Sequence, residues 1–516
     1  MSTDRLRWLL LGVAAIVLVV HSLAYNFVTD DAYISFVFSR NFAEHGQLSF
    51  NLGQPVEGYT NFLWTILLGI LMLVGISPEI SSRVLGTACA LVTLYIVFTA
   101  TERALERRTP IATIGALLLA CSSGFACWTS GGLETQLFTM LVVIALDGKS
   151  IKRTAIALAL AAMTRPEGLL VAAVIGVAYL GNNLLEKKKI ARDDLIAAAL
   201  FLVIWAPWFA WRWHYYGYKF PNTYYVKASG PWVDPKMATQ MAETGRYYIW
   251  RWLVQAHVLW AAPLILAAFY KLKPRTPRFR LVTTTTLLAI VYVVYAMSVG
   301  GDFMGLHRFI MPVFACVAIL VAIGLDQLPY KAPIAAIAIA LFAVTQLQLT
   351  RDSIASCAGR TCNNDHGIDS PAFLMVYTED RAAIGRAMAD CFKPDDFSIV
   401  GGAGAQPYFG RMRGIDVFGL VSEKIAHDSP RSNPRPGHTK WGSDTILASY
   451  DPTFVFSCYQ IHYGPMAPPL PCNTGFWTSR GFEEVTMFIP DLAERGQYYT
   501  FLAKKDRHFQ CPGRVR

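Results

Sequence analysis

Two adjacent carboxylates, Asp30 and Asp31, stand just beyond the first apolar block of this sequence, residues 8–25. An ionised carboxylate in hydrocarbon costs several kcal/mol, so the pair requires water, a metal or cationic partners. Held near a hydroxyl, such an acid can remove its proton. The plainer alternative is that the two cap a helix starting near Ala32, where Asp is favourable. Further polar residues recur at intervals between apolar blocks: Arg40, Glu57 and Tyr59, then Glu134, then Arg165 and Glu167, then Lys219, Asn222, Tyr224 and Lys227, then Asp302, His307 and Arg308. Arg165, Arg308, His307, Lys219 and Lys227 supply cations, and an arginine can grip a phosphate through two parallel hydrogen bonds. Pairing with Glu167 and Asp302, or with ordinary anionic lipid headgroups, is the bland reading of the same residues. The run of tyrosines and amides from Tyr215 to Tyr225 suits carbohydrate as well as an interfacial aromatic belt.

The elements that position these residues are membrane spans. Of the 516 residues, 54% are hydrophobic and only 16% charged, with a mean hydropathy of +0.35. A soluble protein is nearer a quarter charged. The net charge of +10 does not indicate nucleic acid, because the basic residues cluster between apolar blocks as the positive-inside rule describes. Clusters at 103–108, 149–153, 187–192 and 271–280 all belong on the cytoplasmic side, as do Arg5 and Arg7 at the N-terminus. Spans are expected at 8–25, 80–101, 110–128, 134–148, 154–164, 168–183, 195–212, 250–270, 281–298, 309–325 and 332–349, eleven in all. Asn61 to Ser77 does not fit as a crossing and is expected as a juxtamembrane or re-entrant helix.

From about Thr350 the composition turns polar. Phe397 to Val400 and Phe454 to Phe456 read as strands and Thr378 to Ala389 as a helix. The glycine-rich run Gly401-Gly402-Ala403-Gly404 reads as a tight turn, since it lacks the Walker lysine and the dinucleotide spacing. Six of the ten cysteines, Cys357, Cys362, Cys391, Cys458, Cys472 and Cys511, fall in this tail and read as disulfides of an oxidising compartment, with the pairing open. Cys89, Cys121, Cys127 and Cys316 fall in spans, as small buried thiols do.

The run Asp30-Asp31-Ala32-Tyr33-Ile34-Ser35-Phe36 with Arg40-Asn41, and Val56-Glu57-Gly58-Tyr59-Thr60-Asn61-Phe62-Leu63-Trp64, resembles the integral-membrane glycosyltransferases of the GT-C superfamily. The likeness continues in Gly132-Leu133-Glu134-Thr135, Thr164-Arg165-Pro166-Glu167-Gly168, Pro221-Asn222-Thr223-Tyr224-Tyr225 and Gly301-Asp302 to His307-Arg308-Phe309. It most resembles the arabinofuranosyltransferase branch, which includes bacterial pilin arabinosyltransferases and mycobacterial cell-wall enzymes. It departs from the family at Gly437-His438-Thr439-Lys440, where relatives usually carry Glu after His. The resemblance implies transfer of a sugar, most often D-arabinofuranose, from a polyprenyl-phosphate carrier to a pilin or cell-envelope glycan acceptor. It makes Asp30 or Asp31 the general base, Asp30 being favoured, with Glu134 as a second acid. Arg165, Arg308, His307 and Lys219 would hold the donor phosphate, and Arg40, Glu57, Tyr59, Asn222, Tyr224 and Asp302 the acceptor or sugar.

The expected architecture is therefore an all-α polytopic membrane domain of GT-C type over residues 1–349, with about 11 transmembrane helices and a juxtamembrane helix. A soluble periplasmic α/β domain, residues 350–516, follows. The location is a bacterial inner membrane, N-terminus in the cytoplasm, with membrane lipids as surroundings. No cofactor is required by the sequence; a divalent metal held by carboxylate oxygens is one option that no spacing compels. The rivals are a hexose or mannose transferase of the same fold and a lipid-linked sugar flippase, which would carry charges midway along its spans.

Overall fold

The computed structural model describes residues 2–228, 235–355, 367–492 and 496–515. Helix α1 (Thr3–Leu23) starts where the Ser2 side chain accepts the Arg5 N–H, a serine cap satisfying a donor the helix leaves unpaired. Helix α2 (Asp30–His45) is amphipathically weak and buried along most of its length, and α3 (Phe62–Leu73) is apolar but only 12 residues long. At 1.5 Å per residue α3 is too short to cross a bilayer of about 30 Å, so a juxtamembrane or re-entrant course suits it. Helix α4 (Pro78–Leu105) follows, opened by the Ser77 side chain and by Pro78, whose missing N–H costs nothing there.

The block expected as one span over 110–128 is instead two helices, α5 (Ile114–Cys121) and α6 (Ser123–Ser130), bent by 63°. The break has a local cause. The Ser122 side chain accepts the Phe125 N–H and starts a new helix. Then come α7 (Thr135–Leu146), α8 (Ile151–Thr164), α9 (Glu167–Leu185) and α10 (Arg192–Tyr216), with α8 packing on both α9 and α10. After the short α11 (Asn222–Lys227), the expected span at 250–270 is again a bent pair, α12 (Pro235–Gln255) and α13 (Val258–Ala267), at 75°. Helices α14 (Pro277–Ser298), α15 (Met311–Asp326) and α16 (Lys331–Ala355) complete the bundle. Seven of these helices are individually long and apolar enough to cross a membrane, and nine spans result if each bent pair counts as one. The remaining two expected spans are the shorter helices α7 and α8, at 12 and 14 residues. The protein is a multi-pass membrane protein.

The C-terminal region is α/β. Helix α17 (Pro371–Met388) precedes a five-stranded sheet, β1 (Ser398–Val400), β2 (Gly414–Asp416), β3 (Phe454–His462), β4 (Phe482–Phe488) and β5 (Tyr498–Lys504), in the order β2-β1-β3-β5-β4. Strand β1 runs parallel to β2 and β3, and β3, β5 and β4 are antiparallel neighbours. Between β1 and β2 lies α18 (Ala405–Gly410), reached through the glycine turn 401–404. Disulfides join Cys391 to Cys511 and Cys458 to Cys472. The expected partners Cys357 and Cys362 lie outside the described residues. The other four cysteines are free, as expected for thiols among apolar helices.

Candidate active site

One end of the bundle collects the helix ends that carry the candidate residues. Asp31 opens α2, Glu134 precedes α7, Arg165 links α8 to α9, Lys227 ends α11, and Asp302 and Arg308 lie between α14 and α15. These elements converge through ion pairs. Arg165 donates to Glu134 at 2.5 Å and to Glu167 at 3.1 Å, while Arg308 holds Asp302 at 2.8 Å. The flat faces of the arginines lie over rings, Arg165 over Phe309 at 5.3 Å and Arg308 over Trp128 at 5.6 Å, an attraction that adds to the fixing of each guanidinium. Asn61, which starts α3, donates to the second Glu134 oxygen at 3.0 Å.

Asp30 and Asp31 part company here. The Asp30 carboxylate turns toward the C-terminal region and accepts the Ala405 N–H at 2.8 Å. A Cβ on Gly404 would collide with the Asp30 backbone oxygen and carboxyl group, so the close approach of turn and helix needs a glycine at that position. Burial, with the neighbouring Asp31 charge, pushes the Asp30 carboxyl up to about 6 despite that hydrogen bond. Asp31 is half-buried and faces the ion pairs, feeling Lys227 and Arg308 on one side and Asp302 and Glu134 on the other. Its burial outweighs the two cations, and its carboxyl titrates above the ordinary range. Burial works in the same sense on Glu134, but Arg165 and Arg308 outweigh it and hold that acid below its usual value.

Within this cluster Asp31 and Lys227 are the two charged side chains with no hydrogen bond or ion pair to another described residue. Every other named charge is already matched. The C-terminal region adds a pair that the sequence did not single out, Arg435 donating to Asp369 at 2.7 Å. No spacing signal marks either residue, because they meet only through tertiary contact.

The remaining candidates do not join the cluster. His307 is buried, its Nε2 hydrogen-bonds Gln255 at 2.8 Å, and burial together with Arg251 lowers it to about 3, so it is a neutral imidazole and no phosphate cation. Lys219 is exposed, with its ammonium over Trp213 at 5.5 Å. Glu57 forms a buried pair with Arg212, and the Tyr59 hydroxyl bonds that of Tyr216 at 3.0 Å. Asn222 donates to the carbonyls of Gly419 and Leu420 at 2.7 and 2.9 Å, and Arg40 to that of Tyr408 at 2.7 Å. These four tie the bundle to itself or to the C-terminal region. Tyr224 stacks on Phe220 at 4.5 Å at the surface. His438, in the run that departs from the family pattern, sits between Phe303 and Phe418, and burial lowers it to about 3. No group of three or more His, Cys, Asp or Glu side chains among the described residues could hold a metal ion.

No family model and no curated protein matches the chain. Solved structures do. ArnT from Cupriavidus metallidurans bound to undecaprenyl phosphate superposes with a TM-score of 0.61 at 15% identity, covering 98% of this chain and 99% of that one. ArnT of the same organism in the apo state gives 0.62 at 14% identity, covering 97% and 98%. At such identity the likeness shows the fold alone, which over nearly the whole chain is that of the ArnT structures.

Proposed function

We propose that this protein is a membrane glycosyltransferase that moves a sugar from a polyprenyl-phosphate carrier to an acceptor hydroxyl at the outer face of the membrane. The observation that carries the reading is an acid and a cation with no hydrogen bond or ion pair among the described residues, the half-buried Asp31 and Lys227, whose charge acts on it, amid charges that are otherwise neutralised. An unmatched acid and an unmatched cation are what a base and a phosphate grip require before substrate arrives. The likeness to a structure whose ligand is undecaprenyl phosphate supports a lipid-linked donor. D-arabinofuranose as the sugar, and a pilin or cell-envelope glycan as acceptor, rest on the sequence resemblance.

In this reaction Asp31 takes the proton of the acceptor hydroxyl as its oxygen attacks the anomeric carbon. The bond from that carbon to the phosphate oxygen breaks, and the polyprenyl phosphate leaves with the electron pair. Lys227 and Arg308 hold the charge that develops on it, in a cleft where such contacts are strong. Asp30 anchors the start of α2 on the glycine turn. The site so read comprises Asp31, Lys227, Arg308, Arg165, Glu134 and Asp302.

The test is transfer in membranes supplied with labelled polyprenyl-phosphoryl arabinofuranose, with a polyprenyl-phosphoryl hexose alongside. Asp31→Asn should lose about 10²- to 10⁴-fold in rate, the usual worth of a general base. Lys227→Met should raise the donor KM. Asp30→Asn, whose amide oxygen can still accept the Ala405 N–H, should lose far less than Asp31→Asn. Undiminished transfer by Asp31→Asn would sink the catalytic assignment, and transfer of hexose alone would move the sugar specificity.

A further inference from the structure

Helix α11, which carries Lys227, has six residues. So short a helix is not stable by itself, and its last carbonyls have no partner within it. Its start is tied to the bundle, where the Asn222 N–H donates to the Glu57 carbonyl at 3.1 Å. Its end is held from the far end of the chain. Arg431 donates from Nε to the Ala228 carbonyl at 2.8 Å and from Nη2 to the Tyr225 carbonyl at 3.0 Å, and the buried Thr439 hydroxyl donates to the Val226 carbonyl. Arg431 and Thr439 stand on the two arms of one turn: Arg431 pairs with Lys440 in an antiparallel bridge, and the Ser432 N–H donates to the Thr439 carbonyl at 2.9 Å. The carbonyls just before and just after Lys227 are thereby fixed, while its own side chain is exposed and has no partner among the described residues.

We propose that Arg431 and Thr439 are positioning residues for the transfer reaction: the C-terminal region clamps the backbone on either side of Lys227 and so sets where its ammonium meets the donor phosphate. This rests on Lys227 being the phosphate grip. A lysine is a point charge on a flexible four-carbon stem. With no partner for that charge, the backbone beneath it is what defines the volume the ammonium can reach. The two donors suit the task. The rigid fork of the Arg431 guanidinium spans two carbonyls three residues apart, which a single ammonium does not reproduce. Thr439 spends its buried hydroxyl on the carbonyl between them and leaves no polar atom unpaired. Without the clamp these three carbonyls lose their partners, and α11 frays from the end that carries Lys227.

The test is the Kd of the full-length protein in detergent for undecaprenyl phosphate, a readout that needs no turnover. Lys227→Met should weaken binding. Thr439→Val, which keeps the side-chain shape and removes the hydroxyl, should weaken it about 2- to 10-fold, the usual worth of one hydrogen bond. Arg431→Met, which frees two carbonyls, should weaken it more. Thr439→Ser, which keeps the hydroxyl, should bind as the parent does, and so should Arg413→Met, which frees the Pro394 carbonyl elsewhere in the same region. The deciding measurement is Thr439→Val in the Lys227→Met background: a residue that acts through Lys227 adds no further loss there, whereas a merely structural one adds its loss in full. Additive losses, or parent-like binding by Thr439→Val, overturn the proposal. If Arg431→Met is not recovered folded, the Thr439→Val cycle decides alone. Undiminished binding by Lys227→Met would overturn the phosphate-grip reading and this proposal with it, whereas a failed cycle leaves that reading standing.

Discussion

At the scale of single residues, adjacency in sequence conceals opposite surroundings. Asp30 and Asp31 are neighbours on a helix, and residues one apart point about 100° away from each other. One therefore enters the glycine turn and the other the ion-pair cluster. The same contrast separates structural charges from available ones. Glu57 and Arg212 neutralise each other in a buried pair, with Nε and Oε1 3.0 Å apart. Deleting one member strands the other, so Arg212→Met should cost about 3–5 kcal/mol of stability, read as a lower thermal midpoint. Glu57→Gln should weaken folding in the same way while leaving the acceptor KM unchanged; a raised KM at unchanged stability would return Glu57 to the binding surface.

At the scale of elements, the glycine turn between β1 and α18 is what brings the C-terminal region against α2. Its residues carry no phosphate-loop signature, and the structure gives the turn a packing task instead. Gly404→Ala must push Asp30 aside, and overpacking of that kind costs about 1–3 kcal/mol. Gly401, where an added Cβ meets nothing within 4 Å, supplies the control. Thermal unfolding of both variants should show a lower midpoint for Gly404→Ala alone. The two bent helix pairs belong to this scale as well. Hydropathy reads 110–128 and 250–270 as continuous because apolar composition persists through Ser122 and through the 256–257 junction, where His257 adopts a left-handed φ of 54°. Composition reports solvent, and the direction of an axis depends on caps and on neighbouring helices.

At the scale of the whole molecule, ion pairs draw all four basic clusters to one end of the bundle. Arg103 and Arg153 share Asp147, Lys152 meets Asp193, Arg280 and Lys188 meet Glu186, Arg107 meets Asp326, and Arg7 from the N-terminus meets Glu102. We propose, on the positive-inside rule, that this end lies in the cytoplasm and that the candidate site and the C-terminal region face outward. Cysteine labelling of intact cells made permeable in the outer membrane alone checks this: Met466→Cys, at an 88% exposed position, should react with a membrane-impermeant reagent, and Lys189→Cys should react only after lysis. The reverse pattern would turn the site inward. The sequence by itself determined the membrane class, the apolar segments, two of the tail's five strands, β1 and the start of β3, and the residue types of the candidate site, because these follow from composition, periodicity and local propensity, whereas β2, β4 and β5 carried no signal that was read. Only the tertiary structure decided that Asp31 feels Lys227 and Arg308 while Asp30 turns to the glycine turn and Arg381, that burial lowers His307, that Lys227 has no partner among the described residues and that Asp369, paired with Arg435, packs on the 303–305 loop from the far end of the chain. The reason is physical. Whether a charge is available depends on which partners surround it, and those partners lie hundreds of residues away, where no local pattern records them.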